Sequence, residues 1–225
     1  MTRRLAVPWP DGRAFLGRGG RPIRLLAASD ERDPTLEVAA NRAALEPVDL
    51  VIGCGDLSPD WLGFLGDAFV APLVFVRGNH DNGGPWPAPR EVPLPASGID
   101  DQSLPGFEIV ALPWPTFDLG KARRDERAAW RQVAGIGPTR LLRGARDVIV
   151  VSHVPPRGAG DTPDDPYHVG FAAYAFAQQR LQPRLWLHGH TSLAAQPSWR
   201  VQHGPTTVVN ATGSVLVELT PGPIQ

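Results

Sequence analysis

The chain has 225 residues, 22 of them basic and 23 acidic, for a net charge of -1. That length suffices for one sizeable domain that buries most of its apolar surface without staples, and the charge balance excludes a polyanion-binding stripe. The sequence is therefore read as a single domain over residues 1–225 with no general nucleic-acid partner. Cys54 is its one cysteine, so no intrachain disulfide forms, and a reducing, cytoplasmic setting is expected. Pro8 and Pro10 interrupt the segment after Arg3 and Arg4, and no apolar stretch reaches signal or transmembrane length, so no membrane partner is expected.

The segment 1–22, with Pro8, Pro10, Gly17, Gly19 and Gly20, reads as a short strand or hairpin plus turns ahead of a core over about 24–219. The Gly17–Gly20 cluster lacks the strand–helix frame with Lys and Ser/Thr of a phosphate loop and reads as a turn. From Ile23 the pattern alternates: strand 23–29, helix 35–45 with Pro34 near its start, strand 50–54, helix 59–69, strand 73–77. Such alternation, with strands apolar on both faces, predicts a helix-covered sheet whose ligands gather at the C-terminal strand ends. Residues 82–106 are rich in Pro and Gly and read as an exposed loop carrying Trp86. Strands at 107–112 and 148–152 flank a charged helix at 122–133, whose charges are read as solvated. A helix over 167–181, a strand at 185–188 and a terminal pair over 208–219, broken near Gly213, complete the pass.

Metal-ligand side chains recur at the ends of the strand segments: Asp30 in AASDER, Asp56 in GCGD, Asn79-His80-Asp81 in VRGNHD, His153 in VVSH and His190 in LHGHTS. Carboxylates, a carboxamide oxygen and imidazoles together suit a hard or borderline divalent cation, whereas a thiolate-rich cluster would indicate structural zinc. Each element also has an ordinary reading. Asp56 suits a helix N-cap, Gly-Asn-x-Asp is a good turn former, and a lone His at a strand end is more often a hydrogen-bonded core residue. It is their convergence that points to metal-assisted chemistry.

These motifs resemble the calcineurin-like metallophosphoesterases, whose signature runs D-x-H, G-D, G-N-H-[DE], a lone His and G-H-x-H, here over about residues 24–215. The resemblance implies an α/β fold, a four-layer α/β/β/α sandwich of two mixed sheets flanked by helices. It implies hydrolysis of a small phosphomonoester or phosphodiester by a metal-activated water, with manganese, iron or zinc as the cation. By the same resemblance Asp56 bridges two metals, and Asn79, His153 and His190 complete the second-metal set. His80 protonates the leaving alkoxide, or stabilises its charge, and Asp81 holds the His80 ring in its working tautomer. His188, two residues before His190 and so on the same face of an extended strand, and His168, at an expected helix start, are read as supporting or substrate-contacting groups. His203 is given no role.

The chain departs from the signature at two positions. Arg32 stands in place of the D-x-H histidine, and Ser192 in place of the last histidine of G-H-x-H, where it is read as a supporting or substrate-contacting group. The first-metal set thereby keeps Asp30 and Asp56 and loses both imidazoles, so one tightly bound ion is expected, with the second weakly held or absent and activity reduced. On a strand, residue i+2 points the same way as i, so the Arg32 guanidinium is expected to project toward Asp30. It then either supplies part of the missing charge and binds a phosphate oxygen, or merely pairs with Asp30. The rival reading is a non-catalytic protein-interaction or phosphate/nucleotide-binding module, because the family includes a retromer subunit that uses this fold as a scaffold.

Overall fold

The computed structural model describes residues 2–82, 96–100, 107–116, 123–145, 147–196 and 198–222. In chain order its strands and helices are β1 Arg3–Trp9, β2 Ile23–Ser29, α1 Ala39–Ala43, β3 Leu50–Cys54, α2 Pro59–Phe69, β4 Leu73–Val76, β5 Gly98–Asp100 and β6 Glu108–Leu112. There follow α3 Glu126–Gly135, α4 Pro138–Arg143, β7 Val148–Ser152, α5 Ala172–Leu181, β8 Leu185–His188, β9 Arg200–His203, β10 Thr206–Asn210 and β11 Gly213–Pro221. Two mixed sheets result, with strand orders β1-β11-β2-β3-β4 and β5-β6-β7-β8-β10-β9.

Alternation along each strand divides the apolar side chains between two faces. Leu25, Ala27, Ile52 and Val74 of the first sheet meet Ile109, Ile149, Val151 and Leu187 of the second in the central layer. The opposite faces take a helical layer each. Leu26, Val51 and Phe75 pack on Trp61, Leu62 and Leu65 of α2, while Val150, Trp186 and Val208 pack on Val133 of α3 and on Tyr174 and Leu181 of α5. Burying each large side chain contributes ~1.5–3 kcal/mol, and it is this double-sided burial that produces four layers. Among the described residues no helix is long and apolar enough to cross a membrane.

The structure differs from the sequence reading in several elements. The segment 35–45 divides into a 3-10 turn, Pro34–Glu37, and the short α1, because Asp33 caps Thr35 and Val38 leaves the helical region. The helix read over 167–181 begins only at Ala172, and that read over 122–133 begins after its N-cap, Asp125. Within 82–106, β5 pairs antiparallel with β6, while Trp86 and most of that loop lie outside the described residues. α4 and β9 carry too short a period to be seen in sequence.

At the N-terminus the short strand forms rather than the hairpin: β1 adds to the first sheet parallel to β11. The Arg3 guanidinium donates to the carbonyls of Asn210 at 3.0 Å, Ser214 at 3.3 Å and Thr212, and so clamps the β10–β11 connection. Replacing Arg3 by Ala should cost about 2 kcal/mol and lower the melting temperature by about 4–8 °C for a chain of this length. Arg3→Lys should recover less than half of that, because an ammonium cannot fork across three carbonyls. A thermal melt identical to that of the native protein would show that the strand ladder alone holds β1.

Candidate metal centre

The candidate residues lie on turns leaving the C-terminal ends of parallel strands: Asp30 after β2, Asp56 after β3, Asn79 to Asp81 after β4, His153 after β7 and His190 after β8. Asp30 and Asp56 from the first sheet and His153 from the second each bring a ligand atom within 4.8 Å of the others. The backbone is bent hard to do so. Among the described residues, non-glycine residues with positive φ are Val70 and Gln182, which close helices, and Asp30 (59°), Asp56 (55°) and His190 (66°). Such conformations cost of order 1–3 kcal/mol each and cluster where geometry serves function.

Hydrogen bonds tie these turns together. Asp81 Oδ2 accepts the main-chain N–H groups of Asp56 at 2.6 Å and Gly78 at 2.9 Å, while Asp56 Oδ1 accepts the N–H of His80 at 2.8 Å. A Cβ at Gly78 would lie 2.1 Å from Asp56 Oδ1, so only glycine permits this approach. Between the sheets, Asp30 Oδ2 accepts the His190 N–H at 2.9 Å and the Thr212 hydroxyl at 3.2 Å.

Buried His153 and half-buried His190 are each anchored through one nitrogen. His153 Nδ1 donates to the Cys54 carbonyl at 2.8 Å, and His190 Nε2 donates to the Tyr167 carbonyl at 2.8 Å. A histidine held this way presents its other nitrogen to a ligand. For His153 that nitrogen, Nε2, lies 2.9 Å from Asn79 Oδ1 and 3.2 Å from Asp56 Oδ2. The His190 ring packs 4.9 Å from His153 and 5.4 Å from Trp114, just outside the tight group. His80 stands at the rim, its side chain 81% exposed and its Nε2 4.0 Å from Asp56 Oδ2.

The donor set fits a divalent cation on physical grounds. With Nδ1 committed as a donor, Nε2 of neutral His153 would aim a lone pair at two oxygen acceptors, an arrangement that needs a positive charge between them. Spacings of this size match the edges, about 3 Å, of a polyhedron with metal–ligand bonds near 2.1 Å. A proton is the other charge that serves.

Several expected contacts are replaced. Arg32 does not pair with Asp30: its Nη2 donates to Ser58 Oγ at 3.1 Å, and its guanidinium lies 5.6 Å from the Trp61 ring centre. β2 has ended at Ser29 and Asp30 turns back at positive φ, so strand alternation no longer aligns i with i+2. Asp81 joins two main chains rather than orienting the His80 ring. His188 and His190 do not share a face. His188 is buried toward Gly160, with Nδ1 donating to the Gly189 carbonyl at 2.9 Å. Ser192 caps a 3-10 turn, accepting from the Ala194 N–H at 3.2 Å. His168 pairs with Asp165 at 2.5 Å, its ring 5.0 Å from His190, and His203 bonds Gln178. Thr212, Tyr167 and Trp114 were not legible as site residues, since they act through a hydroxyl, a carbonyl and a ring face that no motif marks.

Electrostatics follow from this packing. Burial opposes charge on His153, but the Asp56 hydrogen bond and the charges of Asp30 and Asp56 outweigh it and push its pKa up to about 9. Burial pulls His188 down to about 4 and His190 down to about 3. Contacts with His153 and His80 overcome burial and hold Asp56 below the usual carboxylate range. In the metal-free chain His153 therefore stabilises the fold fully below its ordinary value of 6.5, and this contribution is lost as pH rises through about 9. His188 and His190 remain neutral where the unfolded chain gains protons, so stability is lost as pH falls below 6.5. As far as these groups govern it, the chelated protein should melt highest near pH 6.5. Adding Mn²⁺ should flatten or reverse the alkaline decline by displacing the His153 proton. Melts from about pH 5 to about pH 10 check this; an alkaline limb indifferent to metal would remove His153 from the ligand set.

The fold has counterparts among known proteins. The family model described as calcineurin-like phosphoesterase matches residues 30–192. One solved structure, 15% identical, covers 88% of this chain and 95% of its own with a TM-score of 0.62. The protein TT1561 of Thermus thermophilus, also 15% identical, covers 85% and 89% with a TM-score of 0.52. A dimetal phosphatase from Danio rerio, 11% identical over 90% and 88%, has a TM-score of 0.48. No curated protein sequence matches the chain. The structural likenesses speak to the fold alone; the family match spans strand ends from Asp30 to His190, and by it the chain belongs to the calcineurin-like phosphoesterase family.

Proposed function

We propose that the protein hydrolyses a small phosphomonoester or phosphodiester at one divalent cation held by Asp56, Asn79, His153 and His190, with Asp30 alongside. The reading is carried by one observation, the meeting of His153 Nε2 with Asn79 Oδ1 and Asp56 Oδ2 at 2.9 and 3.2 Å. Manganese, iron or zinc suits this mixture of imidazole and oxygen donors. When bound, the cation supplies Lewis-acid polarisation of a phosphoryl oxygen and a water of lowered pKa.

The chain's own residues supply positioning and protons. The Cys54 and Tyr167 carbonyls hold the two imidazoles so that Nε2 of His153 and Nδ1 of His190 are the open positions. Asp81 keeps the Asp56 and Gly78 turns at a constant separation. In this reading His80 gives a proton to a departing alkoxide, a role its exposure and its position 4.0 Å from Asp56 support. Arg32 and Ser192 bond elsewhere, which leaves Asp30 and Asp56 alone at the other metal position. Losing one ion of a two-metal clamp forfeits several kcal/mol of transition-state stabilisation, so turnover is slow.

Loaded with Mn²⁺, the protein should bind about one ion tightly per chain and cleave p-nitrophenyl phosphate or bis(p-nitrophenyl) phosphate. Asp56→Asn should lower kcat/KM by at least ~100-fold and lower bound manganese with it. His80→Ala should lower kcat by ~100-fold or more with metal content unchanged. Binding of both esters without product, under any of the three metals, would leave a phosphate-binding module in place of an enzyme.

A further inference from the structure

Away from the metal centre, the free edge of the first sheet faces the free edge of the second. Between β1 and the β9–β10 pair lies a cavity of about 400 Å³, lined by Leu5, Val7, Val201, Arg184, Arg200 and Thr207 among others. That volume falls within the ~300–1,000 Å³ of small-molecule sites. Arg184 immediately precedes β8, whereas His190 follows the other end of that strand, so the cavity is separate from the candidate catalytic residues.

The charge in this cavity lacks a counterpart. Neither Arg184 nor Arg200 pairs with a carboxylate among the described residues, although Arg18, Arg24 and Arg140 each do. Half-buried Arg184 has its Nε on the Pro8 carbonyl at 2.8 Å, which leaves its terminal amino groups to other acceptors. Exposed Arg200 lies 5.3 Å from the Trp199 ring centre, a contact that orients a guanidinium without neutralising it. Beside these cations, the edges of the almost fully buried Leu5 and Val7 and half-buried Val201 form a narrow apolar margin. Among the described residues no acidic side chain lines the cavity.

We propose that this cavity binds a small organic anion with an apolar body, its phosphate or carboxylate on Arg184 and Arg200 and its hydrocarbon against Leu5, Val7 and Val201. Two guanidiniums lining one cavity favour such head groups through charge-assisted hydrogen bonds, and the apolar margin favours a hydrocarbon that a bare inorganic anion lacks. The site does not depend on the proposed hydrolysis.

Isothermal titration of the full chain, treated with chelator to silence the metal centre, would use hexyl phosphate, hexanoate and hexanol as probes. At least one anion should bind ten-fold or more tighter than hexanol, and the tighter anion names the head group. Arg184→Met and Arg200→Met should each weaken it about five-fold or more, while Asp56→Asn should bind as the native protein does. Arg200 makes no side-chain hydrogen bond among the described residues, so Arg200→Met keeps the test valid even if Arg184→Met folds poorly. Equal affinity for hexanol, no binding of either anion at millimolar concentration, unchanged affinity in Arg200→Met, or loss in Asp56→Asn would each overturn the proposal.

Discussion

The hydrogen bond from His153 Nδ1 to the Cys54 carbonyl, 2.8 Å long, joins the tip of one sheet to the tip of the other inside the protein. Both residues have no solvent exposure, so water does not compete for the bond. That one contact has two consequences. It sets which imidazole nitrogen faces Asn79 and Asp56, and it holds β7 against β3 at the place where chemistry needs the shortest distances. The Ser29 hydroxyl donates to the same Cys54 carbonyl at 3.0 Å, which binds the end of β2 into the junction. Strand ends far apart in sequence thus share one acceptor.

Around that junction, strain and hydrogen bonding are arranged in opposition. Asp30, Asp56 and His190 adopt left-handed backbone conformations that side chains disfavour. Each is held by main-chain and side-chain bonds from a neighbouring turn, so the cost of the conformation is met locally. Arg3 extends the support outward. Its guanidinium grips the Thr212 carbonyl while the Thr212 hydroxyl donates to Asp30, so a residue on the first strand steadies a carboxylate at the centre.

The framework was legible in sequence wherever an apolar run meets a punctuating residue. Ile23–Ser29, Leu50–Cys54, Val148–Ser152 and Leu185–His188 are strands with the expected bounds, because each is a branched apolar run with polar or glycine-rich flanks. α2 likewise begins at Pro59, with Ser58 capping it. The features that escaped reading depend on specific side-chain contacts, some local and some with partners distant in sequence. Residues 167–171 could continue a helix by propensity, yet Asp165 holds Tyr167 and His168, and Arg124 and Arg157 take the Gly170 carbonyl. For the site, residue types and spacing brought the candidate ligands to one end of the fold, but not their contacts. Arg32 and the pairing of His188 with His190 were misjudged because side-chain direction beyond a strand end is set by turns, to which the period-two rule does not apply, while the role of Asp81 was carried over from the family signature.

The two departures from the family signature bear on how many ions the centre holds. The Arg32 guanidinium is spent on Ser58 and Trp61 and the Ser192 hydroxyl on its own turn, so neither brings a ligand or a charge to Asp30. Asp30 Oδ2 is instead satisfied by neutral donors, the Thr212 hydroxyl and the His190 N–H. Among the candidate ligands alone, the Asp30 and Asp56 carboxylates and one protonated imidazole leave the metal-free set with a surplus of one negative charge. A single divalent cation that displaces the His153 proton brings the sum to zero. A second would leave two positive charges in a partly buried pocket where Arg32 and Ser192 stand at the two signature histidine positions, a state that, under the proposed function, the charge of an anionic phosphoester would have to offset.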